Sequence, residues 1–185
     1  MTRVDRPLGI DAAHVLAGPA RIRRVAPWGF PAAALVADGE TVALLGRMGW
    51  FRIYFGRGQR IELADGTRWT LTSLTTGGTI SPVILDRLGR KVALAGWRHG
   101  TYGINGRDYA CVLHPAEAAQ KLGRANRWQI SDQEGELASV IRAPLAVTAQ
   151  RPVHLGAVIL SFALVRFGLP EESAPRVPSF RWGPG

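Results

Sequence analysis

From about residue 33 to residue 142, short apolar runs alternate with tight-turn signals, and within the runs apolar and polar positions swap at a period of two. Ile61-Glu62-Leu63 shows the swap in its simplest form. In Arg68-Trp69-Thr70-Leu71-Thr72 the tryptophan and leucine share one face, and the arginine and threonines share the other. Successive side chains of an extended chain point to opposite faces, so this period predicts strands with one buried face. Tyr109, Cys111 and Leu113 share a face by the same count.

Turn signals group the runs into hairpins. Ala34–Ala37 and Thr41–Leu45 flank Asp38-Gly39, and Ile61–Ala64 and Arg68–Leu74 flank Asp65-Gly66. Ile80–Leu85 and Lys91–Trp97 flank Leu88-Gly89, while Tyr102–Ile104 and Asp108–Leu113 flank Asn105-Gly106. Trp128–Ser131 and Glu136–Arg142 meet at a longer turn closing on Gly135. Asp-Gly and Asn-Gly suit type I′ turns, whose two central residues need positive φ. Met48–Phe55 reads as one further strand. The turn glycines at 39, 66, 89, 106 and 135 are too irregularly spaced for a solenoid or propeller. The pattern predicts an antiparallel meander of about ten to twelve strands.

Two helices interrupt it. A short one is predicted at Pro115–Leu122, with Pro115 in the first turn and Gly123 as the stop. The second is predicted at Pro152–Phe167, closed by Gly168 and Pro170. Eleven uninterrupted residues without a charge, Leu155 to Val165, lie inside it. That run is short of the roughly 20 apolar residues of a spanning helix, so a tail anchor is the lesser reading and a core helix the greater. Its apolar side chains fall on nearly every side, and a helix apolar all round must be enclosed. Burial of its large side chains is worth on the order of 10–20 kcal/mol as an upper estimate. No single sheet face covers such a helix, whereas a closed sheet does. The fold class expected is therefore all-β with one buried helix: a closed or nearly closed antiparallel barrel of 33–169 around helix 152–167. Residues 1–32 read as a lead-in with early strands, and 170–185 as a Pro-rich tail.

Composition narrows the chemistry. A chain of 185 residues with 46% hydrophobic and 20% charged residues is globular. Its one cysteine, Cys111, excludes an internal disulfide framework and a multi-cysteine metal cluster. Cys111 is expected to pack as a small hydrophobe. The first 30 residues carry charges without an apolar core, so the expectation is a cytoplasmic protein, with a peripheral position at the inner membrane face as an extension of it. Of 23 basic residues 21 are arginine, against 14 carboxylates, giving a formal charge of +9. A GC-rich genome writes arginine where others write lysine, and net charge aids solubility. An arginine excess also suits phosphate-bearing partners, because the guanidinium fork matches their oxygens.

No catalytic constellation is visible. His14, His99, His114 and His154 stand at spacings that match no zinc motif, and His114 with Glu117 is the nearest approach to a metal pair. There is no G-x-S-x-G elbow, H-E-x-x-H helix or P-loop lysine. The expectation is a non-enzyme with no cofactor and no metal. The richest basic region is Gly46–Arg68, where Arg47, Arg52, Arg57, Arg60 and Arg68 stand among Met48, Trp50, Phe51, Tyr54, Phe55 and Trp69. In the plainest reading the aromatics pack inside the barrel and the arginines form a solvated outer face. As a binding surface, the five arginines would meet the headgroups of an anionic membrane lipid, where each basic side chain adds about 1 kcal/mol. A protein partner is the alternative, and nucleic acid comes third, since no RNA-binding motif accompanies the arginines.

A meander followed by one terminal helix apolar on every side resembles the tubby C-terminal-like superfamily, which includes the tubby domain, the phospholipid scramblases and the LURP-one-related proteins. The stretches that carry the resemblance are RWQISDQEGELASVIR, Arg127–Arg142, and VHLGAVILSFALVRF, Val153–Phe167. The resemblance implies a roughly twelve-stranded barrel wrapped around the helix. It also implies a non-catalytic binding or scaffolding module for lipid headgroups or a protein partner. The cysteine-rich acylation segment and acidic calcium-binding stretch of the scramblases have no counterpart in this chain, which speaks against lipid translocation.

Overall fold

The computed structural model describes residues 14–25, 30–46, 58–76, 79–98, 101–116 and 125–167. Twelve strands follow one another along the chain: β1 Val15–Arg24, β2 Ala33–Ala37, β3 Glu40–Leu45, β4 Gln59–Leu63, β5 Arg68–Thr76, β6 Thr79–Leu85, β7 Lys91–Arg98, β8 Thr101–Gly106, β9 Ala110–Pro115, β10 Arg127–Asp132, β11 Gly135–Arg142 and β12 Leu145–His154. Each pairs antiparallel with its sequence neighbours, and β1 pairs with β12, so the sheet closes into a barrel. Helix α1, Leu155–Phe167, follows β12 directly.

The period of two sets the faces of most wall positions and slips at bulges, as at Leu35/Val36, where Ala34 and Leu35 are both buried. In β4 Ile61 and Leu63 are buried while Arg60 is exposed, and in β9 Cys111 and Leu113 are buried while Ala110 and Val112 are exposed. The buried set from all twelve strands meets α1 in one core. Residues Leu155 to Val165 are all buried, and the helix packs against β6, β7, β8, β11 and β12. Wall residues make room for it: the inward positions of β7 are Ala93 and Ala95, both fully buried. Small residues there let Phe162, Ile159 and Leu160 fill the lumen. The helix is about 20 Å long. Among the described residues, no helix is long and apolar enough to cross a membrane.

Several expectations are corrected in detail. The barrel wall begins before residue 33, because β1 is the strand that closes it against β12. The last helix starts at Leu155, not Pro152, because Leu145–His154 is one continuous strand paired on both edges. Only Asp38-Gly39 has two positive-φ residues, as a type I′ turn requires. At Asp65-Gly66 and Leu88-Gly89 only the glycine is left-handed, which fits a three-residue turn ending in a bulge glycine. The β8–β9 turn is centred on Arg107-Asp108, since the Gly106 N–H donates to the Tyr109 carbonyl. Pro115 ends β9. The Ala116 N–H donates to the Arg127 carbonyl, and residues 117–122 of the short helix, its stop Gly123, and the strand at Met48–Phe55 lie outside the described residues.

Two substitutions test the enclosed helix. Leu160→Asp places a carboxylate where no solvent or partner reaches, and we expect no cooperative unfolding transition by circular dichroism and no compact peak on gel filtration. A folded Leu160→Asp protein would show that the helix is exposed. Ser161 is fully buried and its hydroxyl has no hydrogen-bond partner. Ser161→Ala removes an unsatisfied polar group, so chemical denaturation should show a gain of about 1 kcal/mol in stability.

Candidate functional site

The barrel end where β12 hands over to α1 gathers the most polar and aromatic chemistry. In an antiparallel barrel every second turn lies at the same end. The β4–β5, β6–β7 and β8–β9 turns therefore share this mouth with His14, just ahead of β1, and His154, at the end of β12. An open cleft of about 1000 Å³ runs between them.

Four rings form its floor. The His154 ring stacks against Tyr109 at 4.6 Å and against Trp69 at 5.9 Å, with interplanar angles of 23° and 15°. His14 meets Trp69 edge-on at 5.1 Å. His154 also caps the helix: its Nδ1 accepts a hydrogen bond from the Gly156 N–H at 3.0 Å, so that nitrogen carries no proton. The Tyr109 hydroxyl donates to the Val92 carbonyl at 3.1 Å, and burial, with Cys111 nearby, pushes its pKa up so that it stays a donor. Two glycines lie close beneath these rings. A Cβ on Gly106 would stand 2.0 Å from the Tyr109 ring, and one on Gly156 would stand 3.0 Å from both His154 Nδ1 and the Tyr109 hydroxyl. Gly106, which the sequence suggests as a turn residue, is instead the seat of the Tyr109 ring.

The rim is ionic and stiff. Asp65 Oδ1 accepts from the Thr67 N–H at 2.8 Å, and its Oδ2 meets His14 Nε2 at 3.0 Å. The Thr67 amide outweighs desolvation and, with the Thr67 and His14 side chains, holds the Asp65 carboxyl below its ordinary value. Asp86 Oδ1 accepts from the N–H groups of Leu88 and Arg90, and its Oδ2 pairs with Arg90 Nε at 2.7 Å. Desolvation alone would raise Asp86, but the Arg90 and Leu88 hydrogen bonds together bring it below the usual 3.8. At the same barrel end, outside the cleft lining, Arg151 ties down the β10–β11 turn, reaching Asp132 at 2.6 Å, Glu134 at 2.7 Å and the Gly135 carbonyl at 3.1 Å. Burial acts to raise Asp132, and the Arg151 hydrogen bond and charge, with the Glu134 and Gly135 amides, overcome it.

Basic side chains without such partners line the same cleft. Arg87 and Lys91 come from β6–β7 and Arg107 from β8–β9, and none of the three has an ion pair among the described residues. Counting every side chain on the lining, five cations (Arg68, Arg87, Arg90, Lys91, Arg107) face three carboxylates (Asp65, Asp86, Asp108).

Of the five arginines singled out in the sequence, Arg60 and Arg68 converge on Glu62, at 2.7 and 3.8 Å, on the outer wall. Arg60 also lies over the Phe30 ring at 4.8 Å. Arg68 additionally lines the cleft. Arg47, Arg52 and Arg57 lie outside the described residues. Trp69 points inward and is buried. His114 does not face a metal partner: its ring nitrogens meet the Pro115 carbonyl and Ser131 Oγ, at 3.1 and 3.2 Å. Glu117 and His99 lie outside the described residues. Cys111 is buried opposite Ile104, and burial, with Asp132 nearby, pushes its thiol up to about 12. Among the described residues no group of three or more His, Cys, Asp or Glu is placed to hold a metal. Sequence reasoning passed over Arg87, Lys91 and Arg107 because they are scattered along the chain. The parity of the turns is the signal that would have united them.

Neither a family model, nor a curated protein, nor a solved structure matches the chain.

The carboxylates give a pH prediction. Asp65, Asp86 and Asp132 all titrate lower in the folded protein than the usual 3.8. Their contribution is complete above that value and is lost as pH falls through the lowered folded values. The melting temperature should therefore be level from neutral pH to about pH 5 and fall steeply below about pH 4. Arg151→Leu should lower the plateau and flatten the acid limb, as followed by thermal melts across a pH series. An acid limb unchanged by Arg151→Leu would show that the clamp contributes nothing.

Proposed function

We propose that this protein is a non-catalytic binding module whose barrel mouth takes the phosphate-bearing headgroups of anionic phospholipids, at the inner face of a membrane. The observation that carries the reading is the set Arg87, Lys91 and Arg107, three cations on one cleft without an ion pair among the described residues. In the β10–β11 turn, by contrast, Arg151 is itself engaged by Asp132 and Glu134. Unpaired cations on rigid turns are a preorganised match for phosphate oxygens, and the formal charge of +9 adds long-range attraction. The floor supports binding over chemistry: the Tyr109 hydroxyl and His154 Nδ1 already serve the Val92 carbonyl and the helix cap, and Cys111 stays a thiol. The resemblance to the tubby C-terminal-like superfamily favours the same reading, since the tubby domain binds phosphoinositides through basic residues on its barrel.

Co-sedimentation with phosphatidylcholine vesicles, with and without phosphatidylserine, at low and high salt, tests it. Binding should require the anionic lipid and weaken with salt. Reversing Arg87, Lys91 and Arg107 to glutamate should weaken it at least about a hundredfold, from about 1 kcal/mol per basic side chain. Melting should be unaffected, because these side chains are exposed. Absence of binding to anionic vesicles would reject the reading in favour of a protein partner.

A further inference from the structure

Beside the three cations stands an apolar side chain that no core residue covers. Leu88, at the tip of the β6–β7 turn, is 76% exposed, the highest value for a large hydrophobic residue among the described residues. The next two, Val25 and Phe30, flank the β1–β2 connection at the opposite end of the barrel. Single exposed apolar residues are ordinary on a protein surface. What distinguishes Leu88 is its setting. Its turn is rigid: the Asp86 carboxylate accepts from the Leu88 and Arg90 amides at 2.8 and 2.9 Å, the Gly89 N–H donates to the Asp86 carbonyl, and the left-handed Gly89 closes the loop. Arg87 precedes the leucine, Lys91 follows at the start of β7, and Arg107 lines the same cleft from the β8–β9 turn. The leucine is thus held outward, between cations, at the end of the barrel.

We propose that the β6–β7 turn is a membrane-inserting tip, in which Leu88 enters the acyl boundary of an anionic bilayer while Arg87, Lys91 and Arg107 remain at the level of the phosphates. This rests on the headgroup reading above and adds to it an orientation and a source. A free phosphate satisfies the cations but leaves Leu88 in water, whereas a bilayer satisfies both. The tip inserts one side chain from a stiff turn, so little conformational entropy is lost, and attachment is peripheral and reversible. The mouth, the helix N-terminus and the His154 stack then face the membrane.

The full-length protein tests this in two ways. Leu88→Asp should weaken association with phosphatidylserine-containing vesicles about tenfold with melting unchanged, the scale expected for one leucine kept out of hydrocarbon. For a direct readout, Leu88→Cys is coupled to an environment-sensitive thiol dye. The buried Cys111 does not compete for dye at neutral pH. The dye emission should shift to the blue on anionic vesicles and stay unshifted with inositol hexakisphosphate, a soluble polyphosphate. Three results would overturn the tip: wild-type affinity in Leu88→Asp, an unshifted dye on bound vesicles, or an equal shift with the soluble polyphosphate. In each of those cases the headgroup reading stands if the wild-type protein still sediments with anionic vesicles. If it does not, both fall.

Discussion

The helix Leu155–Phe167 is the constraint from which the architecture follows. Its side chains from Leu155 to Val165 leave no polar stripe to turn toward water, so an open sheet, which covers one side, leaves the other wet. Closure of the sheet removes that cost and, with it, the two free sheet edges. The β1–β12 pairing is therefore as important to the helix as any side chain that touches it. The wall adapts to its contents in turn. Ala93 and Ala95 on β7, and Ala138 on β11, are small fully buried residues on strands that pack against the helix.

The same constraint shapes the mouth. Because α1 follows β12 without a loop, its first turn lies at the barrel end and its free N–H groups must be met there. His154 meets one, and its ring is gripped by Tyr109 and Trp69. Tyr109 in turn rests on Gly106, and its hydroxyl binds Val92. Core, helix cap and cleft floor are thus one continuous packed object. The rim is built differently. In the β4–β5 and β6–β7 turns Asp65 and Asp86 bind their own backbone. The β8–β9 turn is closed by the Gly106 N–H on the Tyr109 carbonyl, and Arg87, Lys91 and Arg107 line the cleft from these turns.

Much of the fold was legible because it rests on local patterning. Period-two alternation in Ile61-Glu62-Leu63 and Tyr109-Ala110-Cys111-Val112-Leu113 assigned the faces as they stand, and the all-round apolar run demanded enclosure. The errors came where one residue type serves two purposes. Gly106 looked like a hairpin glycine and is a packing glycine, which only the position of the Tyr109 ring reveals. Pro152 looked like a helix start, yet it sits in a strand, at an irregular stretch of the β1–β12 pairing where a missing N–H does no harm.

The site was less legible, for a geometric reason. Density along the sequence drew attention to Gly46–Arg68, but neighbours in a strand alternate between inside and outside, so a dense cluster is divided by the wall. Trp69 turns inward while Arg68 and Arg60 turn outward to share Glu62. Residues about 20 apart, such as Arg87 and Arg107, are brought together instead, because two hairpin turns separated by two strands return to the same end of the barrel. In an up-and-down barrel, convergence of charge is therefore a property of alternate turns. The strand count that made the barrel predictable already contained that information. It becomes usable once Leu145–His154 is read as a strand, because that assignment places the helix N-terminus, His14 and every even-numbered turn at one mouth.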